Sequence, residues 1–256
     1  MIVTIDIGNS NIVVVVYDKN QQRIVELREE TKKERAKEYY RRLLQQVKSD
    51  IPESVEGVII ASVVPKITDT VLEISNQIFK VKPFHVTVRN IPEFVIHLDN
   101  PDELGADFIA TAYGVIAKKK YPAVIADMGS ATKLSVIDEN RQFSGGVIIP
   151  GIQVASEALV HFIPHLPEIE LKLPKEVIGH DTISAMQSGL LYGVIGSLEG
   201  IANRIEKQVG HNVYRFLTGG YANIVFHEMP EFDFEPYLLN EGLYYLYTEK
   251  KVKYER

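Results

Sequence analysis

Val3-Thr4-Ile5-Asp6-Ile7-Gly8-Asn9-Ser10-Asn11 near the start of the chain and Val124-Ile125-Ala126-Asp127-Met128-Gly129-Ser130-Ala131-Thr132 near its middle decide the fold class. Each is a β-rich run that ends on an aspartate, an apolar residue and a glycine, followed by small or polar residues. A second apolar run then departs, Ile12 to Tyr17 in the first case and Leu134 to Asp138 in the second. Such runs, separated by Gly, Asn and Ser, read as two strands joined by a tight turn. One hairpin of this kind is common. Two copies half a chain apart point to an internal duplication, and so to two similar α/β lobes.

Around the hairpins, helices and strands alternate. Thr31 and Glu34 have capping-box spacing, and Ala36, Tyr39, Tyr40, Leu43, Leu44 and Val47 recur at helical spacing, which predicts a helix over 31–48. Val55 to Val64 reads as a buried strand, 67–79 as a helix, and Phe84 to Val88 as a short strand. The stretch from Asn100 to Asp107 reads as a loop feeding a helix with Ile109, Ala112, Tyr113 and Ile116 on one side; Pro101 sits where a first helical turn could begin. In the second half, Gly145 to Gly151 precedes predicted helices near 153–162 and 182–208. A strand, Val213 to Leu217, then runs into Thr218-Gly219-Gly220, and a last helix is predicted over about 237–247. No low-complexity linker separates the halves, so the expected lobes are residues 1–117 and 118–256, sharing a cleft rather than tethered.

Composition narrows the function classes. The chain has 256 residues, 45% hydrophobic and 24% charged, as a globular protein with a sizeable core does. Its formal net charge of -6 argues against non-specific nucleic-acid binding, which needs a basic surface. The basic runs Lys118-Lys119-Lys120 and Arg41-Arg42 read as solvated helix faces. With no cysteine, disulfides, thiolate metal sites and cysteine nucleophiles are excluded. The first residues lack a signal-peptide pattern, and Ile12 to Val16 is too short to span a bilayer, so the expected location is cytoplasmic, with no membrane partner. His161 and His165 are four apart, but Pro164 breaks the helical spacing a metal pair would use, so both read as non-metal residues. The chain has no Walker A motif, G-x-G-x-x-G, H-E-x-x-H or G-x-S-x-G, so the enzyme classes that depend on them lack their signatures.

The chemistry concentrates at the turns. An aspartate ending a strand projects its carboxylate at the carboxyl edge of the sheet. The glycine after it lets the backbone come close to a ligand, and the turn's N–H groups form a concavity suited to an anion. Asp6 and Asp127 would repel a bare phosphate, so they make sense with Mg2+ between carboxylate and phosphate. Capping of each turn by its own aspartate explains either copy alone but not the repeat. Thr218-Gly219-Gly220 offers a flat backbone surface on which an adenosine could lie, although Gly-Gly also serves ordinary turns. Asp107 is the candidate that orients an acceptor hydroxyl and takes its proton; its bland alternative is an acidic residue in a first helical turn.

Together these motifs resemble a known family. Asp6-Ile7-Gly8-Asn9-Ser10-Asn11 and Asp127-Met128-Gly129-Ser130-Ala131-Thr132 are similar to the two phosphate motifs of type III pantothenate kinases, and Asn100-Pro101-x-x-Leu104-Gly105-Ala106-Asp107 is similar to their substrate motif. Gly145-Gly146 with Pro150-Gly151, Ile178-Gly179 with Thr182, Ala185 to Gly189, and Thr218-Gly219-Gly220 follow in the same order, so the resemblance spans nearly the whole chain. It implies an α/β fold of two duplicated ribonuclease H-like lobes, actin/hexokinase/Hsp70-like, with a central nucleotide cleft. It implies transfer of the ATP γ-phosphoryl group to pantothenate, the first step of coenzyme A synthesis, with Mg2+ and a monovalent cation, K+ or NH4+, in a homodimer. Under it, Asp107 is the catalytic base, Asp6 and Asp127 serve metal and phosphates, and Asp127 lies near the monovalent cation. Gly8, Asn9, Ser10, Asn11, Gly129, Ser130, Ala131, Thr132, Gly219 and Gly220 bind ATP. Gly105, Ala106, Asp107 and Phe108 bind the acceptor, and Thr182 reaches the acceptor site of a second subunit.

The chain departs from the family pattern at three positions. Phe108 stands where an arginine is usual, Leu98 where a tyrosine is common, and Lys133 where a small hydroxyl residue is common. The stretch near 23–31 also lacks a clean match to the family's Arg-x-Ser-Thr. Loss of an arginine removes a bidentate carboxylate partner. A kinase of the same fold acting on another small hydroxyl compound is therefore an alternative, and a non-catalytic ATP-binding regulator is a third. The Lys133 ammonium could take the place of the monovalent cation or reach a phosphate; otherwise it points to solvent.

Overall fold

The computed structural model describes residues 1–254 and divides into two compact units, residues 1–119 together with the last helix, and residues 120–237. In the first unit, β1 (Ile2–Ile7) and β2 (Asn11–Tyr17) form an antiparallel hairpin, and β3 (Arg23–Glu30) pairs antiparallel with β2. Helix α1 (Ala36–Ser49) leads to β4 (Gly57–Ser62), parallel to β1, and α2 (Pro65–Phe79) leads to β5 (Phe84–His85), parallel to β4. The sheet order is β3-β2-β1-β4-β5, and α3 (Ala106–Lys118) follows it in the chain.

Every side chain from Ile12 to Tyr17 is buried, as a valine-rich strand covered on both faces must be. On one face Val3, Ile5, Ile7, Val14 and Val16 share a core with Tyr40, Leu44 and Val47 of α1 and Ile67, Val71 and Ile74 of α2. Those helix positions are three or four residues apart, so each helix turns one apolar stripe to the sheet.

The second unit repeats this order strand for strand. β6 (Ala123–Met128) and β7 (Ala131–Ile137) form the hairpin, and β8 (Phe143–Pro150) pairs antiparallel with β7. Then come α4 (Ile152–Phe162), α5 (Thr182–Val209), β9 (Tyr214–Thr218), α6 (Ala222–Val225) and β10 (Asp233–Phe234). β9 is parallel to β6 and β10 to β9, so the order β10-β9-β6-β7-β8 mirrors the first sheet with the same strand directions. The core of this unit gathers Val124, Ala126, Met128 and Leu134 with Leu191, Leu198 and Ala202 of α5.

Two expectations change. The last helix, α7 (Leu238–Tyr254), joins the first unit rather than the half that began at residue 118. It packs on α3 at two glycine notches: a Cβ on Gly242 would lie 1.8 Å from the Ala110 carbonyl oxygen, and one on Gly114 would lie 2.4 Å from that of Leu238. Asn240 donates to the Thr4 hydroxyl at 3.0 Å in the buried layer between α7 and β1. The second change is at α1, which begins at Ala36 behind Arg35 in a left-handed conformation, not at Thr31. Thr31 spends its hydroxyl on the Gly8 carbonyl instead of on a helix cap.

Candidate functional site

Asp6 sits near the end of β1, partly buried, and Gly8-Asn9-Ser10-Asn11 forms the turn into β2. The turn is closed by the Gly8 N–H donating to the Asn11 carbonyl at 2.9 Å, and Asn9 and Ser10 are exposed. The site residues of the first unit are this turn and, on a separate element, Asp107.

Asp127 occupies the equivalent place in β6. Its partner across the hairpin is Lys133, whereas the partner of Asp6 is Val13. Residues directly opposite on antiparallel strands share a face, and the Lys133 ammonium lies 3.0 Å from Asp127 Oδ2 with the two side chains only 15% and 18% exposed. Lys133 therefore turns to the phosphate motif and not to solvent. Only the second turn holds a lysine in this register.

The Thr218-Gly219-Gly220 stretch packs against the same turn. Thr218 is the parallel register partner of Asp127, and Tyr221 donates its N–H to the Met128 carbonyl at 3.1 Å. Gly219 has φ +97°, and a Cβ there would lie 2.5 Å from both Asp127 Oδ1 and the Met128 nitrogen. Only glycine fits that conformation and that approach. Gly129, Ser130, Ala131, Thr132, Gly219 and Gly220 are thus brought together at the carboxyl ends of β6 and β9, where open α/β sheets bind ligands. Gly151, just beyond β8, supports the turn from beneath: a Cβ there would be 2.2 Å from the Ser130 carbonyl oxygen.

Asp107 is in the first turn of α3, and its Oδ1 accepts from the Phe108 N–H at 3.0 Å. Asp107 and Phe108 are both partly buried, and Gly105 precedes the helix with its Cα close enough that a Cβ would lie 2.4 Å from Asp107 Oδ1. Pro101–Glu103 forms a separate 3-10 turn before that helix. Thr182 opens α5, exposed, beside a capping box in which Asp181 accepts from the Ser184 N–H at 2.9 Å. Two tethers have roles that sequence reasoning misses, Thr31 on the first turn and Gly151 under the second: the sequence marks Thr31 as a helix cap and Gly151 only as part of the Pro150-Gly151 motif, because both act across strands.

A sequence model of the type III pantothenate kinases matches residues 2–204. The chain belongs to that family. A type III pantothenate kinase from Exiguobacterium sp. is 39% identical over 255 residues, covering 98% of this chain and 100% of its own. Among solved structures, a Campylobacter jejuni protein assigned to the Baf family of transcriptional activators superposes with a TM-score of 0.59 at 19% identity, over 97% of this chain and 98% of that one. The activator of 2-hydroxyisocaproyl-CoA dehydratase from Clostridium difficile, with bound ADPNP, superposes with a TM-score of 0.54 at 13% identity, over 99% and 97% of the two chains. These likenesses establish the fold, the two-lobed α/β type of actin, Hsp70 and sugar kinases. Among the described residues, no helix of this type III pantothenate kinase family member is long and apolar enough to cross a membrane.

Proposed function

We propose that this chain transfers the γ-phosphoryl group of ATP to the terminal hydroxyl of pantothenate, giving 4'-phosphopantothenate, the first step of coenzyme A synthesis. The observation that carries this reading is the pair of Asp-x-Gly turns at equivalent strand ends of two sheets with the same strand order, in a chain of this family. Phosphoryl transfer asks the protein for position and electrostatics more than for covalent chemistry. The N–H groups of Asn9 to Asn11, in the turn that Gly8 closes, and of Gly129 to Thr132 hold phosphate oxygens, and Gly219-Gly220 supports the adenosine beside the second turn. Asp107 receives the acceptor's proton, with Gly105, Ala106 and Phe108 around the acceptor and Thr182 contributed by a second copy.

The metal fits the residues present. No group of three or more His, Asp or Glu among the described residues gathers as a metal cage. Mg2+ needs none, because one or two carboxylates, phosphate oxygens and water complete its octahedron. When bound, the ion supplies positive charge at the transferring phosphoryl oxygens. Asp6 is its first candidate ligand; Asp127 is the second, with part of its charge already met by Lys133. That same ammonium stands where K+ or NH4+ would otherwise be drawn to Asp127, so the catalytic rate should not depend on a monovalent cation.

A homodimer is supported by α5. Gly189, Gly193 and Gly196 recur at three- and four-residue spacing inside a 28-residue helix, and a Cβ on any of them would meet nothing within 4 Å. Glycine inside a helix costs about 1 kcal/mol relative to alanine, and none of the described residues packs against these three positions to offset it. Close approach by another helix does. Exposed Phe162, Val177, Ile178 and Ile183 lie on the same unit, Phe162 at 79% and Ile178 at 74% exposure. Gly193→Leu is expected to leave the helix intact, since leucine is the better helix former, and to give a 28.9 kDa monomer by light scattering. A dimer that survives this change excludes the α5 face as the interface.

One observation favours a second acceptor. Phe108, beside Asp107, cannot pair with a substrate carboxylate, which suits a neutral hydroxyl compound. A coupled ADP-release assay decides between them. ADP formation that requires pantothenate supports the first reading; formation with a neutral alcohol and not with pantothenate supports the second. ATP binding without acceptor-dependent turnover contradicts both.

A further inference from the structure

Thr31 has helix-capping spacing in the sequence, and the structure uses it elsewhere. Its hydroxyl donates to the Gly8 carbonyl at 2.7 Å, and its N–H donates to the Ser10 carbonyl at 2.9 Å. Both acceptors belong to the first phosphate turn. Thr31 is buried, and the residues on either side of it are held by α1. The Tyr40 hydroxyl accepts from the Lys32 N–H and donates to the Lys32 carbonyl, both at 3.0 Å, and the Tyr39 hydroxyl donates to the Glu30 carbonyl at 3.1 Å. Burial pushes the Tyr40 phenol above its ordinary pKa, so it keeps the proton it donates at neutral pH.

A trans peptide is planar, with its C=O and N–H pointing in opposite directions. The peptides after Gly8 and Ser10 are trans. With both carbonyls turned toward Thr31, the N–H groups of Asn9 and Asn11 point away from it. A phosphate is attracted by N–H groups and repelled by carbonyl oxygens, so the direction of these two peptides decides whether the turn can serve an anion. The second unit solves the same problem differently. There the residue after the third strand is Gly151, whose backbone packs directly under Ser130 and has no hydroxyl to offer.

We propose that Thr31, fixed by Tyr40, is a positioning residue for the nucleotide: it draws two carbonyl oxygens off the binding side of the first phosphate turn. The proposal rests on the ATP assignment above. It predicts an effect on ATP affinity and little on the chemical step, because Thr31 touches the turn and not the reacting atoms.

Titration calorimetry of the whole protein with MgATP comes first; no binding by the wild type overturns the ATP assignment and this proposal together. Thr31→Val keeps shape and removes the hydroxyl. It is expected to raise the ATP KM about tenfold, equivalent to about 1.4 kcal/mol, with kcat and the acceptor KM within about twofold. Thr31→Ser restores the hydroxyl and should return the ATP KM to within about twofold of wild type, which a loss of packing alone would not do. Tyr40→Phe should shift the ATP KM in the same direction as Thr31→Val. A folded Thr31→Val protein with the wild-type ATP KM overturns the proposal while leaving the ATP assignment standing. If Thr31→Val does not fold, Tyr40→Phe decides: a raised ATP KM supports the tether, and an unchanged one overturns it.

Discussion

Asp107→Asn is expected to lower kcat by roughly 100- to 10,000-fold, the usual contribution of a positioned general base, while ATP binding stays within about twofold of wild type. The substitution isolates the chemistry because the asparagine oxygen can still accept the Phe108 N–H that now reaches Asp107 Oδ1 at 3.0 Å. The first turn of α3 therefore keeps its local hydrogen bond, and an unchanged melting temperature should accompany the lost rate. What asparagine cannot do is take a proton from the acceptor hydroxyl. If kcat survives within tenfold, Asp107 only caps its helix, and the acid–base role lies with another residue. Steady-state kinetics at saturating ATP, with thermal melting on the same samples, is the measurement.

Lys133→Met is expected to have the second largest effect, and it acts on stability as well as rate. Removing one member of a well-buried ion pair leaves the other charge uncompensated, at a cost of about 3–5 kcal/mol. With Lys133 and Asp127 at 15% and 18% exposure, some solvent reaches the pair, and a loss of about 1–3 kcal/mol is the expected scale. The vacated space beside Asp127 carries the charge that attracts a small cation. The variant should therefore be stabilised and partly reactivated by NH4+ or K+, which leave the wild type unchanged. Thermal melting in Na+, K+ and NH4+ salts reads this independently of turnover. Strong K+ stimulation of the wild-type enzyme would show that Lys133 does not replace the ion.

The duplicated hairpins were legible because each carries a complete local pattern: an apolar strand, Asp-x-Gly, a polar turn and a second apolar strand. Asp6 and Asp127 stand out for the same reason, whereas Asp107, in a loop feeding a helix, is marked only by its Gly-Ala-Asp stretch and by the family resemblance. β3 was not legible. Arg23 to Glu30 is rich in charge and largely exposed, so it shows no clean alternation between a core face and a wet face. The start of α1 was misplaced because Thr31 and Glu34 satisfy a spacing rule whose hydrogen bonds the chain does not make. The place of α7 was hidden for a different reason. Gly114 and Gly242 let two helix backbones touch, and neither glycine announces its partner more than a hundred residues away. Lys133 could be singled out by its position, yet its direction depends on strand register, and a slip of one residue would send it to the other face.

The most direct test of the central claim follows the phosphoryl group itself. Wild-type protein is incubated with MgATP labelled in the γ-phosphoryl group and with pantothenate, and the products are separated and weighed by mass spectrometry. The label should appear in a compound one phosphoryl group heavier than pantothenate, and Asp107→Asn should form almost none of it. Label that stays in ATP, or passes only to inorganic phosphate whatever acceptor is present, would contradict the assignment of this chain as a pantothenate-phosphorylating enzyme.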